Sequence, residues 1–232
     1  MNNQYAYICK KKAYGFKSTN ELLDYIIDKQ TILIALNAEK LNNENTELTN
    51  IINENIGYPD GIGAVLALKR KGVYSKKIAG ADLWLDIIQR HHQTKSFYFI
   101  GGVPSIIEKT IMLLRKEFPM INIVGFRDGF LKEGDSTLLI KDFIDKKPDI
   151  IFVAMGSPKQ EFLMHKFIQE YKALYMGLGG SFDVYTGYKK RAPLLYQKLG
   201  IEWMYRFLKE PSRWKRQWAL FSFAVKIILN KI

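Results

Sequence analysis

The sequence predicts an α/β fold: a mainly parallel, Rossmann-like sheet with helices on both of its faces. Short apolar runs rich in branched and aromatic residues alternate with amphipathic stretches of helical length along most of the chain. Glycine, proline or polar residues separate the two kinds of segment. Strands that alternate with helices in this way form βαβ units, whose strands are parallel and covered on both sides.

A peripheral strand or hairpin is predicted over 5–16, and the first core strand over 31–36. One or two short polar helices over 38–56 lead to a turn at 58–63, and helices follow at 62–71 and 82–92. The regular alternation then comprises strands at 96–100, 121–126, 149–155 and 174–178, with helices at 104–118, 136–146 and 158–171 between them. Two further helices, 194–208 and 212–229, flank Pro211. We therefore expect a core at 1–190 and a helical appendage at 191–232.

Cysteine content and the amino terminus indicate the compartment. Cys9 is the only cysteine among 232 residues, which excludes a disulfide framework and a cysteine-based metal cluster. Met1 is followed by polar residues and not by an apolar run of signal-peptide length. We expect a cytoplasmic protein.

The net charge of +12 is concentrated in the tail. Residues 1–186 hold 24 Lys and Arg against 21 Asp and Glu, whereas residues 187–232 hold 11 against 2. Nucleic acid, an anionic membrane and a phosphate-bearing ligand each explain such a tail, and charge alone does not choose among them.

The turn at 58–63 holds one carboxylate in a restricted backbone. Pro59 fixes its own φ, while Gly61 and Gly63 can adopt conformations closed to other residues. Asp60 between them has two interpretations: it caps the helix that follows, or it is a catalytic carboxylate.

Functional residues of an open α/β sheet lie beyond the carboxyl ends of its strands. Here these positions are rich in glycines, amides and single charges: Asn37, Gly101-Gly102, 127–129, 156–160 and 179–181. Gly101 and Gly102 precede a helix that begins near Pro104, and they suit either an anion site for a diphosphate or a tight turn. The Gly-x-Gly-x-x-Gly and P-loop patterns are absent, which disfavours nicotinamide dehydrogenases and P-loop enzymes.

A second helix start, at 156–161, contains Lys159, Gln160 and Glu161. Lys159 is unfavourable beside a helix amino terminus and so indicates a nearby anion, whereas Glu161 complements the helix dipole. Gln160 suits ligand contact or local capping.

We expect no metal and no cofactor. The adjacent histidines His91 and His92 point in different directions on a helix, so we interpret them as surface residues. The Asp-x-Asp pair that anchors a metal-bound nucleoside diphosphate is absent from the sequence. Protein cations and backbone dipoles must then stabilise any diphosphate that leaves.

The last predicted helix carries an apolar stripe beside a cluster of cations. The stripe residues are Trp214, Trp218, Phe221, Val225 and Ile228, and the cations at its start are Arg206, Arg213, Lys215 and Arg216. This pattern is typical of a helix at an anionic membrane surface, and the apolar run is too short to span a bilayer of about 30 Å. The alternative is a helix docked on its own domain.

Taken together, seven segments resemble the WecG/TagA/CpsF family of bacterial glycosyltransferases. They are Leu36-Asn37-Ala38, Pro59-Asp60-Gly61-Ile62-Gly63, Gly80-Ala81-Asp82-Leu83, Gly156-Ser157-Pro158-Lys159-Gln160-Glu161, Gly179-Gly180-Ser181-Phe182-Asp183, Lys190-Arg191-Ala192-Pro193 and Glu202-Trp203-Met204-Tyr205-Arg206. The resemblance implies an inverting, metal-independent transfer of N-acetylmannosamine or a related sugar from a UDP-sugar donor. The implied acceptor is a polyprenyl-diphosphate-linked sugar at the inner membrane face, in teichoic acid or surface polysaccharide synthesis.

The resemblance also implies roles for individual residues. Asp60 matches the aspartate regarded as general base, and Asn37 and Gln160 match polar pocket positions. Three tail arginines, Arg206, Arg213 and Arg216, match those thought to meet the diphosphate. We add Gly61, Gly101 and Gly102 to the substrate-binding prediction.

Ala35 stands where some family members have Thr, which removes a hydroxyl contact and leaves the sugar undetermined. As partner of the tail we expect an anionic membrane and no nucleic acid. The alternative from another class is a non-catalytic basic module that binds membrane or RNA through its tail.

Overall fold

The structure is a computed structural model that describes residues 5–193, 196, 205 and 214–232, with the backbone alone for 214–218. Its strands are β1 Tyr5–Ile8, β2 Lys11–Tyr14, β3 Thr31–Leu36, β4 Ile56–Pro59, β5 Ser96–Gly101, β6 Asn122–Arg127, β7 Ile150–Ala154 and β8 Leu174–Gly177. Its described helices are α1 Thr19–Ile26, α2 Ala38–Asn42, α3 Thr46–Glu54, α4 Ile62–Arg70, α5 Gly80–His91, α6 Pro104–Glu117, α7 Asp135–Lys146, α8 Lys159–Glu170, α9 Ser181–Tyr185 and α10 Trp214–Ile228.

Six of the strands form one sheet in the order β4-β3-β8-β7-β5-β6, while β1 and β2 form a separate antiparallel hairpin. The pairs β3–β8, β8–β7, β7–β5 and β5–β6 are parallel. Every residue of β5, β7 and β8 is buried, as expected for strands covered on both faces. The predicted α/β fold with a mainly parallel, Rossmann-like sheet is confirmed.

Three short elements were not predicted: α1, β4 and α9. β4 consists of Ile56, Gly57, Tyr58 and Pro59, and all four residues are buried. Glycine and proline weaken the sequence pattern of a strand, so the propensity of this segment does not identify it. Gly57 is required by packing, because a Cβ there would lie 2.6 Å from Leu36 Cδ1 and 2.9 Å from Lys12 O.

The hairpin fixes the end of α2. Lys11 is only 2% exposed, and its Nζ donates to the carbonyl oxygens of Leu41 and Asn43 at the end of that helix. A cation at a helix carboxyl end is favourable. Burial lowers the pKa of Lys11, and the neighbouring charge of Lys226 acts in the same direction.

The described residues group into two compact units. The first comprises Met1–Glu21, Ala35–Ala79 and Lys190–Ile232, and the second comprises Leu22–Ile34 and Gly80–Lys189. The first unit thus joins the hairpin, the Asp60 turn and the chain's end. The second contains the regular alternation of strands and helices from α5 to α9.

Within the first unit, α10 packs on α2 and α4. Phe223 is 1% exposed, and a Cβ at Gly63 would lie 3.4 Å from its ring. Lys226 Nζ donates to Asn42 Oδ1 at 2.5 Å, and Asn42 Nδ2 donates to Ser222 Oγ at 3.4 Å. The predicted helix at 212–229 is therefore present within the described range, and it is docked.

The predicted helix at 194–208 lies outside the described residues, apart from Tyr196 and Tyr205. Among the helices that the structure does describe, none has both the length and the hydrophobicity needed to cross a bilayer.

Candidate active site

Asp60 directly follows β4 and is tied by its backbone to the end of β3. Its N–H donates to Leu36 O at 3.0 Å, and the N–H of Gly61 reaches the same oxygen at 3.4 Å. Behind this turn, Ile78 N–H donates to Pro59 O at 2.9 Å. Asp60 itself is partly exposed. Two strand ends therefore hold the backbone of the turn, while the carboxylate remains within reach of solvent.

The N-cap of α4 is Gly61 and not Asp60. Gly61 has the extended conformation of a cap residue (φ −114°, ψ 154°), and it has no side chain with which to cap. Asp60 is one residue further out, beside the positive end of the helix. The cap interpretation of Asp60 therefore does not describe its position.

Asn37 lies next to this turn. It follows β3 and is the N-cap of α2, where its Oδ1 accepts a hydrogen bond from Lys40 N–H at 2.9 Å. A Cβ built on Gly61 would lie 3.6 Å from Asn37 Cβ. This cap uses the amide oxygen of Asn37 and not its Nδ2 donor. A carboxylate that can accept a proton and an amide that can donate a hydrogen bond thus share one corner of the first unit.

Gly101 and Gly102 lie in the second unit, where the chain presses against the end of β7. Gly101 has φ +126°, and an added Cβ would lie 2.2 Å from Ala154 O. The N–H of Gly102 donates to that same oxygen at 3.3 Å, and the N–H of Gly129 donates to Gly102 O at 2.8 Å. Close backbone packing explains why glycine is needed at 101. Ligand contact at these two glycines remains a prediction.

Gln160 is turned inward from the first turn of α8 and is 4% exposed. Its Oε1 accepts from Gly179 N–H at 2.9 Å, and its Nε2 donates to Glu161 Oε1 at 3.2 Å. Its amide also fills the space over Gly177, where a Cβ would lie 2.4 Å from Nε2. Gln160 therefore joins the start of α8 to the loop after β8, and this contact, rather than capping, accounts for its burial.

Glu161 is the residue of this region that sequence reasoning undervalued. The sequence explains it only as a complement to the helix dipole, and in the structure it is 1% exposed. A buried carboxylate is costly unless it is hydrogen-bonded, and here it accepts from Gln160. The sequence feature that could have identified Glu161 is its position in the Gly156–Glu161 segment, directly after the site candidate Gln160.

The three tail arginines cannot be placed. Arg206 and Arg213 lie outside the described residues, and for Arg216 only the helical backbone is described.

Within the described part of the chain, His, Cys, Asp and Glu form no group of three or more that could hold a metal ion. His91 ends α5, and His92 follows it with Nδ1 near the carbonyl oxygens of Ile88 and Gln89.

Asp60 can thus take up a proton beside the polar side chain of Asn37 and the amino terminus of α4. A comparison with known families indicates the class of reaction. Residues 13–232 match the family described as Glycosyl transferase WecG/TagA/CpsF family. The match covers nearly the whole chain, from the hairpin through α10.

Proposed function

We propose that this chain, which belongs to the WecG/TagA/CpsF family of glycosyltransferases, transfers a hexosyl residue from a UDP-sugar to a polyprenyl-diphosphate-linked sugar. Family membership makes it a glycosyltransferase with a sugar donor and a sugar acceptor as substrates, and it suggests a place in cell-surface polysaccharide synthesis. Within that class, N-acetylmannosamine or a related sugar is our candidate for the transferred group. Teichoic acid or a surface polysaccharide of a bacterium is the candidate product.

The observation that carries the proposal is the placement of Asp60. Its backbone is held by Leu36 O at 3.0 Å, it comes one residue before the N-cap of α4, and Asn37 lies next to this turn. A carboxylate held in this way is suited to general-base catalysis, which typically contributes about 10²- to 10⁴-fold to the rate.

In the proposed reaction, Asp60 takes the proton from an acceptor hydroxyl as its oxygen attacks the anomeric carbon of the donor. The bond from that carbon to the UDP oxygen breaks on the opposite face, so the configuration inverts and UDP leaves with the bonding electron pair. Asn37 Nδ2 would orient a sugar hydroxyl. The proton on Asp60 is then lost to solvent, which its partial exposure permits.

Stabilisation of the leaving diphosphate is assigned to cations and backbone dipoles. The sequence lacks the Asp-x-Asp pair of metal-dependent transferases and supplies Arg206, Arg213 and Arg216 in the tail. Guanidinium groups aimed at the charge that develops in the transition state would offset it. We therefore propose a metal-independent reaction, and activity that is lost on adding EDTA would contradict it.

The exposed side of α10 supports a peripheral position on the inner face of the plasma membrane. Phe223 docks the helix, whereas Phe221 is 63%, Val225 36% and Ile228 71% exposed. These three residues, at spacings of four and three, form the carboxyl-terminal part of the predicted stripe. The side chains of Trp214 and Trp218 lie outside the described set. The helix is thus docked by one side, and the exposed Phe221, Val225 and Ile228 on its other side support the proposed membrane contact.

The proposal is tested with UDP release from a panel of UDP-sugars and a soluble lipid-diphosphate GlcNAc analogue. Asp60→Asn should lower turnover by at least about 100-fold, since the amide cannot accept the proton, while UDP-sugar affinity stays close to wild type. Asp145→Asn, at an exposed position on α7, is the matched control and should keep wild-type turnover. Near-normal turnover of Asp60→Asn would refute its role as the base.

The same panel identifies the sugar. Ala35 is partly buried in β3, two residues before Asn37. If a hydroxyl at this position selects the donor in relatives that have Thr, then Ala35→Thr should change the relative rates among UDP-sugars. An unchanged ranking would exclude this position from donor selection.

A further inference from the structure

The outer side of α4 is apolar and exposed. Ile62 is 45% and Leu66 49% exposed, and their spacing of four places them one above the other on the helix. The opposite side of α4 is fully buried through Ala64, Ala67 and Leu68. Ile62 and Leu66 therefore form a ridge that points away from the core of the first unit.

This ridge lies beside α10. Gly63, the residue after Ile62, meets the ring of Phe223, and Arg70 Nη2 donates to Ile228 O at 3.4 Å near the other end of the contact. These two contacts, about 1.4 to 1.9 turns apart on each helix, align α4 and α10 side by side. The second contact joins the exposed Arg70 to the backbone oxygen of Ile228 and leaves the Ile228 side chain exposed.

We group the exposed apolar residues of these two neighbouring helices as the apolar face. It consists of Ile62, Leu66, Phe221, Val225 and Ile228. On α10, the last three lie roughly opposite Phe223, as their angular positions at 100° per residue require. Exposed apolar side chains that cluster on neighbouring elements, rather than singly, indicate an interaction surface.

Charge identifies what the apolar face contacts. Neither α4 nor α10 contains an Asp or Glu, and the exposed run Lys69-Arg70-Lys71 ends α4. Over the sequence ranges of the first unit there are 20 Lys and Arg against 8 Asp and Glu, whereas those of the second unit hold 15 against 15. The whole net charge of +12 thus belongs to the unit that carries the apolar face. An apolar surface bordered by cations is complementary to anionic phospholipid.

We propose that α4 is a second membrane-contacting helix, and that its Ile62–Leu66 ridge enters an anionic lipid surface together with the outer side of α10. This inference rests on the peripheral membrane association proposed above and extends it from the tail to the core of the first unit. Asp60 comes two residues before Ile62, so the carboxylate lies within about one helical turn of the lipid contact. The proposed base would then meet its acceptor at the level of the lipid headgroups.

Vesicle co-sedimentation of the full chain tests the contact without any enzymatic readout. The variant Ile62→Gln/Leu66→Gln should bind vesicles of phosphatidylcholine with phosphatidylglycerol about tenfold more weakly than wild type, which corresponds to about 1.4 kcal/mol. The matched control is Leu138→Gln/Ile144→Gln, whose positions on α7, in the second unit with its net charge of zero, are 63% and 52% exposed. The control should bind as wild type does, and equal binding of both double variants would overturn the proposal.

A fluorescent label measures insertion directly. Because Cys9 is the only cysteine, a Cys9→Ser background allows a single polarity-sensitive dye at Leu66→Cys or, as control, at Leu138→Cys. Anionic vesicles should shift the emission of the dye at 66 to the blue and leave that at 138 unchanged. An unshifted dye at 66 on a chain that does bind vesicles overturns the contact of α4 alone. A wild-type chain that does not bind anionic vesicles overturns the peripheral association as well.

Discussion

Phe223 and Phe221 lie two residues apart on α10, and the structure predicts opposite consequences for replacing them. Phe223 is 1% exposed and lies against Gly63, whereas Phe221 is 63% exposed. Truncation of a buried Phe to Ala costs about 3–5 kcal/mol, because it loses the transfer free energy and leaves a cavity. Phe223→Ala should therefore weaken the docking of α10 by most of that amount. Phe221→Ala should change docking by no more than about 0.5 kcal/mol.

Hydrogen exchange of the α10 backbone amides measures this difference. A loss of about 3 kcal/mol raises exchange through undocking by more than about 100-fold, up to the rate of an isolated helix, while amides of β5 and β7 keep their protection. Phe221→Ala should leave α10 protected and instead weaken binding to anionic vesicles. The reasoning is refuted if Phe221→Ala unprotects α10 as much as Phe223→Ala does, since the docked and exposed sides would then be assigned the wrong way round.

Two further predictions concern the stability of the second unit, and both are measured by urea unfolding. Gly101→Ala should cost more than about 2 kcal/mol, because φ is +126° and the new Cβ would lie 2.2 Å from Ala154 O. Gly134→Ala, with φ +88° but open space, should cost only about 1 kcal/mol, and equal losses would contradict the packing argument. Tyr98 has its pKa raised above the ordinary 10.0, first by burial and then by its hydrogen bond to a carboxylate. It stays neutral in the folded chain while the unfolded chain ionises, so stability should fall above about pH 10 by up to about 1.4 kcal/mol per pH unit. Tyr98→Phe should reduce this slope and Tyr188→Phe, at a 74% exposed position, should not; an unchanged slope in Tyr98→Phe would refute the assignment.

The alternation of strands and helices determined the fold class from sequence alone. The strand 31–36 was predicted with its observed bounds, because an apolar run ends there at the polar Asn37. The other core strands were found to within two residues at either end. β4 was missed, since its four residues include Gly57 and Pro59 and only burial against neighbouring segments makes them a strand.

The candidate site divides in the same way. The rule that function follows strand ends selected Asn37 and the glycine-rich loops. The composition of the turn at 58–63 made Asp60 a candidate, and the family resemblance favoured its catalytic role. Only the structure placed Gly61, and not Asp60, at the N-cap, because the cap depends on where the backbone leaves β4. The structure also shows that Gln160 points inward. Its amide oxygen accepts a hydrogen bond from the N–H of Gly179, which is distant in the sequence, and no local sequence pattern predicts such a contact.

The tail shows the same division most clearly. Helical periodicity in the sequence determined that Phe221, Val225 and Ile228 share one side of α10. It did not determine whether that side is covered by the chain itself, because periodicity fixes only which residues lie together. Tertiary packing decided this by placing Phe223 against Gly63, a position whose lack of a side chain lets the aromatic ring approach the helix. Phe221, Val225 and Ile228 are thereby left on the outside of α10.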